Sequence, residues 1–240
     1  RAVLDTRIAG TFSEPRLNGT LQLSDATLRD RTIGLALTGM TGTLRLADDT
    51  LRVERLTARA GPGSLTLDGS VGVLAPGLPV DLRLVASEAR PVQSDIAGIQ
   101  GNADLTLRGR ARERLDLAGT VRLDEVDIRL PEHLPASIAT LEVRERGTAN
   151  HPNPPTPSAQ ASAPLDLGLD LTVAAPRRIY LRGRGVDAEL GGEVQVRGTA
   201  ASPNLSGGFK LLRGEYELVG QVLRFTRGRI GFDGAAGIDP

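Results

Sequence analysis

Residues 180–192 read YLRGRGVDAELGG, and Gly183, Gly185 and Ala188 have the G-x-G-x-x-A spacing that seats a dinucleotide pyrophosphate on a helix N-terminus. That chemistry needs a helix directly after the glycines. Here AELGGEVQVRG follows, in which Gly191-Gly192 and the alternating Val194 and Val196 spell a turn and another strand. The glycines are therefore expected to bend a sheet rather than hold a phosphate. The two histidines, His133 in PEHLP and His151 in a Pro-rich stretch, have no second ligand at metal spacing. Asp124, Glu125, Asp127, Glu142 and Glu145 fall on the outward parity of strands, where carboxylates are solvated. No G-x-S-x-G, P-loop or H-E-x-x-H occurs, so no enzyme activity, cofactor or metal is expected.

Composition narrows the class further. The 240 residues include 29 Gly, 15 Pro, no Cys, no Trp and only six aromatic residues, Phe 4 and Tyr 2, so apolar contacts rest on Leu, Val, Ile and Ala. Such a surface suits thin packing or contact with something outside the chain, since globular cores usually use large rings. Lys plus Arg equals Asp plus Glu at 29 each, which leaves no net field to attract nucleic acid. The absence of Cys removes disulfides and thiolate chemistry together. The chain opens on Arg1 with no run of about 18 apolar residues, as expected of a piece excised from a longer polypeptide whose anchor lies elsewhere.

The elements that position these residues follow a period of two. In PLDLGLDLTV, Leu165, Leu167, Leu169, Leu171 and Val173 alternate with Asp166, Gly168, Asp170 and Thr172, which puts every aliphatic on one face of a strand. The same pattern runs through Leu65 to Val73, Val80 to Leu84, Leu105 to Leu107, Leu115 to Leu123, Val126 to Leu130 and Val194 to Val196. Gly, Asp, Asn and Pro between the runs mark tight turns between antiparallel neighbours. Short helices are conceivable only near Ser94 and Pro131. The expected fold is all-β: a long, curled, mostly antiparallel sheet of about fifteen to twenty strands, on the order of 80 Å along its length.

A phrase also repeats: GTLQL from Gly19, GTLRL from Gly42, GTVRL from Gly119 and, more loosely, GSVGV from Gly69. One-sided strands repeated in this way make a quasi-one-dimensional sheet. The exception is NHPNPPTPSAQASAP, Asn150 to Pro164, which has almost no charge and too little apolar surface to order itself. Residues 1–149 thus read as one repetitive β-segment and 165–240 as another, with 150–164 a flexible loop between them. Tyr180, Phe209, Tyr216, Phe225 and Phe232 all lie in the second segment, whose C-terminal end is expected to pack better internally.

That second segment carries a signature. RGRGVDAELGG, GTAASPNLSGGFKLLRG and LRFTRGRIGFDG, in one register over some 60 residues, resemble the C-terminal conserved region of the TamB family of translocation and assembly module subunits, with looser agreement in PEHLPASIATLEV upstream. The resemblance implies a β-taco, a sheet folded lengthwise around an apolar groove. It implies a periplasmic protein anchored in the inner membrane, related to AsmA-like proteins, that works with TamA, an outer-membrane barrel protein with POTRA domains. It also implies a part in outer-membrane protein assembly and in phospholipid movement between membranes. Relatives continue beyond the equivalent of GIDP, so the strands expected to meet TamA are missing here.

On these grounds the groove lining is assigned to Leu65, Leu67, Leu105, Leu107, Leu115, Leu117, Val121, Leu123, Leu165, Leu167, Leu169, Leu171, Val194 and Val196. Three functions fit such a lining. The first is a conduit for phospholipid acyl chains. The second is a chaperone that shelters nascent outer-membrane β-strands. The third is a rigid spacer whose trough fills itself.

Overall fold

The computed structural model describes residues 1–10, 15–131 and 166–236. Its described residues form one sheet of thirteen strands and no helix. In chain order these are β1 (Ala2–Gly10), β2 (Pro15–Asp30), β3 (Leu35–Asp48), β4 (Thr50–Ala60), β5 (Gly63–Gly72), β6 (Pro79–Gln93), β7 (Ala97–Arg110), β8 (Arg114–Arg129), β9 (Leu167–Gly183), β10 (Val186–Thr199), β11 (Ser202–Leu218), β12 (Gln221–Arg224) and β13 (Arg229–Ala236). Neighbours in sequence are neighbours in the sheet from β1 to β12, and β13 pairs with β11. All pairings are antiparallel except β8 with β9, which run parallel. The sheet passes without interruption from β8 to β9, and the segment 150–164 lies outside the described residues.

Among the described residues the strands are longer than the period of two suggests, and bulges are the reason. Leu115 to Leu123 and Val126 to Leu130 read as two runs, yet β8 takes in the first and all of the second but Leu130, with a register shift between Arg122 and Val126. An extra residue resets the alternation without ending the strand. Similar shifts interrupt β2 between Leu23 and Ala26, β3 between Thr38 and Thr41, β4 between Val53 and Leu56, β6 between Ala86 and Ala89, and β9 between Ala175 and Ile179. Bulges bend the strands that carry them, so a row of them across the sheet curls it along its length. Gly191-Gly192 accordingly sits inside β10 and not in a turn. The turn is at Arg184-Gly185, φ 52° and 82°, a pair of left-handed residues of the kind that closes a tight hairpin between β9 and β10. Near Ser94, too, there is a turn in place of a helix: the Ser94 hydroxyl accepts the Ile96 and Ala97 N–H groups at 3.3 and 3.1 Å.

The backbone N–H groups that bulges release need new partners. Glu88, the φ 46° bulge residue of β6, donates its N–H to Asn102 Oδ1 on β7 at 3.0 Å. Asn102 in turn donates to Asp124 on β8 at 2.6 Å. On β9 the bulge residue Arg178, φ 65°, donates its N–H to Glu189 Oε1 on β10 at 3.3 Å. Polar side chains from the adjacent strand thus hold the bend.

The repeated G-T-L phrase marks close strand approach. A Cβ on Gly69 would strike the Asp81 carbonyl of β6, and one on Gly119 the Asp104 carbonyl of β7. Their φ values of +132° and +141° also disfavour any side chain. The phrase therefore marks positions where a neighbouring strand comes too close for a side chain.

Candidate functional site: the apolar face of the sheet

Register assigns every strand residue to a face, because cross-strand partners share one. Leu65 and Leu67 pair with Ala86 and Leu84, which leads across β6 to Leu105 and Leu107 on β7. Leu107 faces Leu117, Ala103 faces Val121, Gly109 faces Leu115 and Gly101 faces Leu123. Across the parallel pair, Leu115, Leu117 and Gly119 meet Leu167, Leu169 and Leu171. Leu171 meets Val196, and Val173 meets Val194. All the predicted lining residues among those described therefore lie on one face of one sheet; Leu165 is outside the described residues. Leu115 and Val194 are buried and the others half-buried.

Register also adds members that parity alone missed. Leu21, Leu44, Leu46, Leu51, Val53 and Leu56 extend the same face through β2, β3 and β4. Val126, Ile128, Ile179 and Leu181 extend it past the bulges of β8 and β9. Their identities show in the sequence, but their face does not, because the bulges between them cannot be located from alternation.

Burial on this face is deepest along the bend. Ala60, Ala89, Val126, Ala175, Ile179 and Ala188 are buried, all near bulges or strand ends at the bend, and Val126, Ala175 and Ile179 form a cluster against Ile99, Leu123, Ile128, Leu190 and Phe209. Small side chains thus line the bend, with half-buried Leu and Val flanking it. Among the described residues no large side chain is fully buried and no second layer covers the face.

The aromatic residues do not make the C-terminal end the better packed one. Phe209 joins the cluster between β7 and β11, but Phe225 is 44% exposed, and Leu218, Leu223 and Ile230 beside it are exposed as well. Tyr180 lies on the other face, with the Arg182 and Arg213 guanidinium groups 4.4 and 6.0 Å from its ring centre. Packing is best in the middle of the sheet, where strands flank each other on both sides; the last strands have fewer neighbours to pack against.

The opposite face is charged. Arg83 grips Asp104 through two hydrogen bonds of 3.0 and 2.6 Å, and Arg108 pairs with Asp81 at 3.0 Å. Asp127 pairs with Arg182 at 3.0 Å, Asp170 with Arg197 at 3.5 Å, and Glu189 with Arg213 at 2.8 Å. The Arg83 hydrogen bonds hold the Asp104 carboxyl below its usual range, and Arg213, with help from the Arg178 N–H, does the same for Glu189. Asp124 and Glu125 sit at the β8 bulge, bonded to Asn102 and 3.7 Å from Arg90 respectively. A concavity of about 860 Å³ opens beside Asp124, and its wall mixes Leu123 and Pro176 with charged groups such as Glu88, Arg122, Arg177 and Arg178. Glu142, Glu145, His133 and His151 lie outside the described residues, and among the described ones no group of His, Cys, Asp and Glu is placed to hold a metal. No described helix is long and apolar enough to cross a membrane.

The family model described as the TamB C-terminal domain matches residues 54–240, from within β4 to the end of the chain. The chain belongs to the TamB family. Comparison with curated proteins and with solved structures gives no match. The TamB match takes in most of the continuous apolar face, including every predicted lining residue, and also the glycine hairpin at Arg184-Gly185.

Proposed function

We propose that this TamB-family segment works in the periplasm, as part of a protein anchored in the inner membrane, and carries phospholipid acyl chains along its apolar face between the inner and outer membranes. The observation that supports this most is the continuity of that face from β2 to β11 with no second layer among the described residues. Burying an acyl chain yields roughly 0.8 kcal/mol per CH₂, so a tail of about sixteen carbons gains on the order of 10 kcal/mol. The gain is spread over many equivalent Leu and Val contacts. Each step along the sheet exchanges one such contact for another, and no single position traps the chain. Headgroups stay in water at the strand ends.

A second reading rests on different residues. Leu218, Val219, Val222 and Leu223 expose apolar side chains around the β11–β12 turn, beside the short edge strand β12. Edges of this kind accept incoming strands, which suits a chaperone that hands nascent outer-membrane β-strands to a TamA-like partner with POTRA domains.

Photo-crosslinking amino acids at Leu107 and Leu169 separate the readings in cells. Acyl adducts identified by mass spectrometry are the expected result for the conduit. Polypeptide adducts support the chaperone instead, and no adduct of either kind leaves a spacer whose face has no guest.

A further inference from the structure

Strands β8 and β9 end, and β10 begins, along one stretch of the sheet's rim, and Arg129, Arg182 and Arg184 meet there. Arg129 closes β8 and stands directly opposite Arg182 of β9. Arg184, in the β9–β10 turn, reaches back past the end of β8 and donates from Nε to the Pro131 carbonyl at 3.0 Å. Backbone bonds hold the strand ends in line. The Arg129 N–H donates to the Ile96 carbonyl at 2.8 Å, and the Leu130 N–H to the Arg182 carbonyl at 2.7 Å.

Like charges directly opposite each other destabilise a sheet. For Arg182 that cost is offset, since Asp127 lies 3.0 Å away, Asp187 3.9 Å away and the Tyr180 ring centre 4.4 Å from its guanidinium. Arg129 has no such relief: it is exposed, and among the described residues no carboxylate pairs with it. On the opposite rim the arginines that flank the β7–β8 turn are neutralised, Arg110 by Glu113 and Arg114 by Asp116 and Asp166. The Arg129 end of the sheet thus sets an uncompensated positive charge beside guanidinium forks that are already held in place. Such forks match the oxygens of a phosphate.

The apolar face begins one residue further in, where Ile128 and Leu181 are cross-strand partners. At the end of a strand the two faces meet, so a group held at the rim lies only one or two residue rises, about 3.3 Å each, from that apolar pair. We infer that Arg129, Arg182 and Arg184 bind the phosphate of a lipid headgroup whose acyl chain lies over Ile128 and Leu181. The inference rests on the conduit proposed above and sharpens it. Headgroups pass this rim and not the opposite one, and cargo that carries a phosphate is preferred over cargo that does not.

Two fluorescent lipids with the same acyl chains, phosphatidic acid and diacylglycerol, differ only in the phosphate, and their uptake by the purified chain tests the assignment. The parent is expected to bind phosphatidic acid roughly tenfold more tightly, a factor the size of one charge-assisted hydrogen bond. Arg129→Gln combined with Arg184→Gln should abolish that difference and leave diacylglycerol uptake as it was. Arg112→Gln, which removes a cation from the opposite rim, should keep the difference. Melting curves certify folding, and if the double variant melts early, Arg129→Gln alone repeats the comparison; it should melt at or above the parent temperature, since it removes one of two facing cations. Equal affinity of the parent for the two lipids, or a preference that survives the variants, overturns the inference and leaves the conduit standing. Uptake of neither lipid removes both. Inorganic phosphate that binds the parent as tightly as phosphatidic acid does would assign the three arginines to free phosphate, against the inference.

Discussion

The two faces of this sheet share one backbone and one register, yet they do opposite things with it. On one, Leu, Val, Ala and Gly from β2 to β11 form an unbroken apolar surface that is only half-buried. On the other, Arg and carboxylate side chains pair across strands, from Arg45–Glu54 on β3 and β4 to Arg213–Glu189 on β10 and β11. A protein that only had to be stable would place a second layer over the apolar side. Among the described residues the charged face is hydrated and ion-paired, while the apolar face has no layer over it.

The most damaging change exploits that contrast directly. Leu169→Arg puts a charge on the apolar face and is expected to reduce acyl-chain binding by an order of magnitude or more, given that burying an unpaired charge costs several kcal/mol. Asp170→Leu, one residue away on the charged face, is expected to leave binding intact. Uptake of a fluorescent fatty acid by the two variants, with melting curves to confirm folding, checks both. Equal uptake would mean that the faces are not functionally distinct.

Next in size is the close approach of β7 and β8 at Gly119. Gly119→Ala drives a Cβ into the Asp104 carbonyl at a φ of +141° and is expected to cost about 1–3 kcal/mol in urea unfolding. Gly98, also within a strand, has open space where its Cβ would be, so Gly98→Ala is expected to be close to neutral. A smaller effect comes from Glu189, which joins the Arg178 bulge N–H to Arg213. Glu189→Ala should lose about 1–3 kcal/mol by leaving hydrogen-bonding groups without a partner, and Glu189→Gln, which keeps an acceptor, should lose less. The Glu189 carboxyl is held below its ordinary value, so its contribution is complete above the unfolded-state pKa and disappears as pH falls through the lower folded-state pKa. Stability measured across the acid range should thus decline less steeply in Glu189→Gln than in the parent. Smallest of all is Asp104→Asn. Its pair with Arg83 is exposed on both sides, and the melting temperature is expected to change little, with any difference removed by salt.

Alternation made the architecture legible. Leu165 to Val173 and Leu115 to Leu123 announce one-sided strands, and the three blocks from Gly183 onward announce the family. The bulges stayed hidden, because an extra residue such as Glu88 or Asp124 looks like the end of one run and the start of another. One long strand such as β8 was read as two runs for that reason, and Gly191-Gly192 was read as a turn. The face of the lining residues was legible wherever alternation was unbroken. The parallel order of β8 and β9 has no local signal at all, since it depends on a connection and not on either strand. Nor do the aromatic residues betray their positions: Tyr180 shares its type with core residues but stacks on Arg182 among charges.

The glycine in each G-T-L phrase has a consequence for how such sheets change length. A close approach set by a strand's own glycine travels with that strand when a hairpin is duplicated or lost. Neighbours feel only the adjoining edge, as in any array held by nearest-neighbour contacts. A ribbon assembled from units of this kind can be fitted to a wider or narrower gap by whole hairpins, with no other position having to adapt.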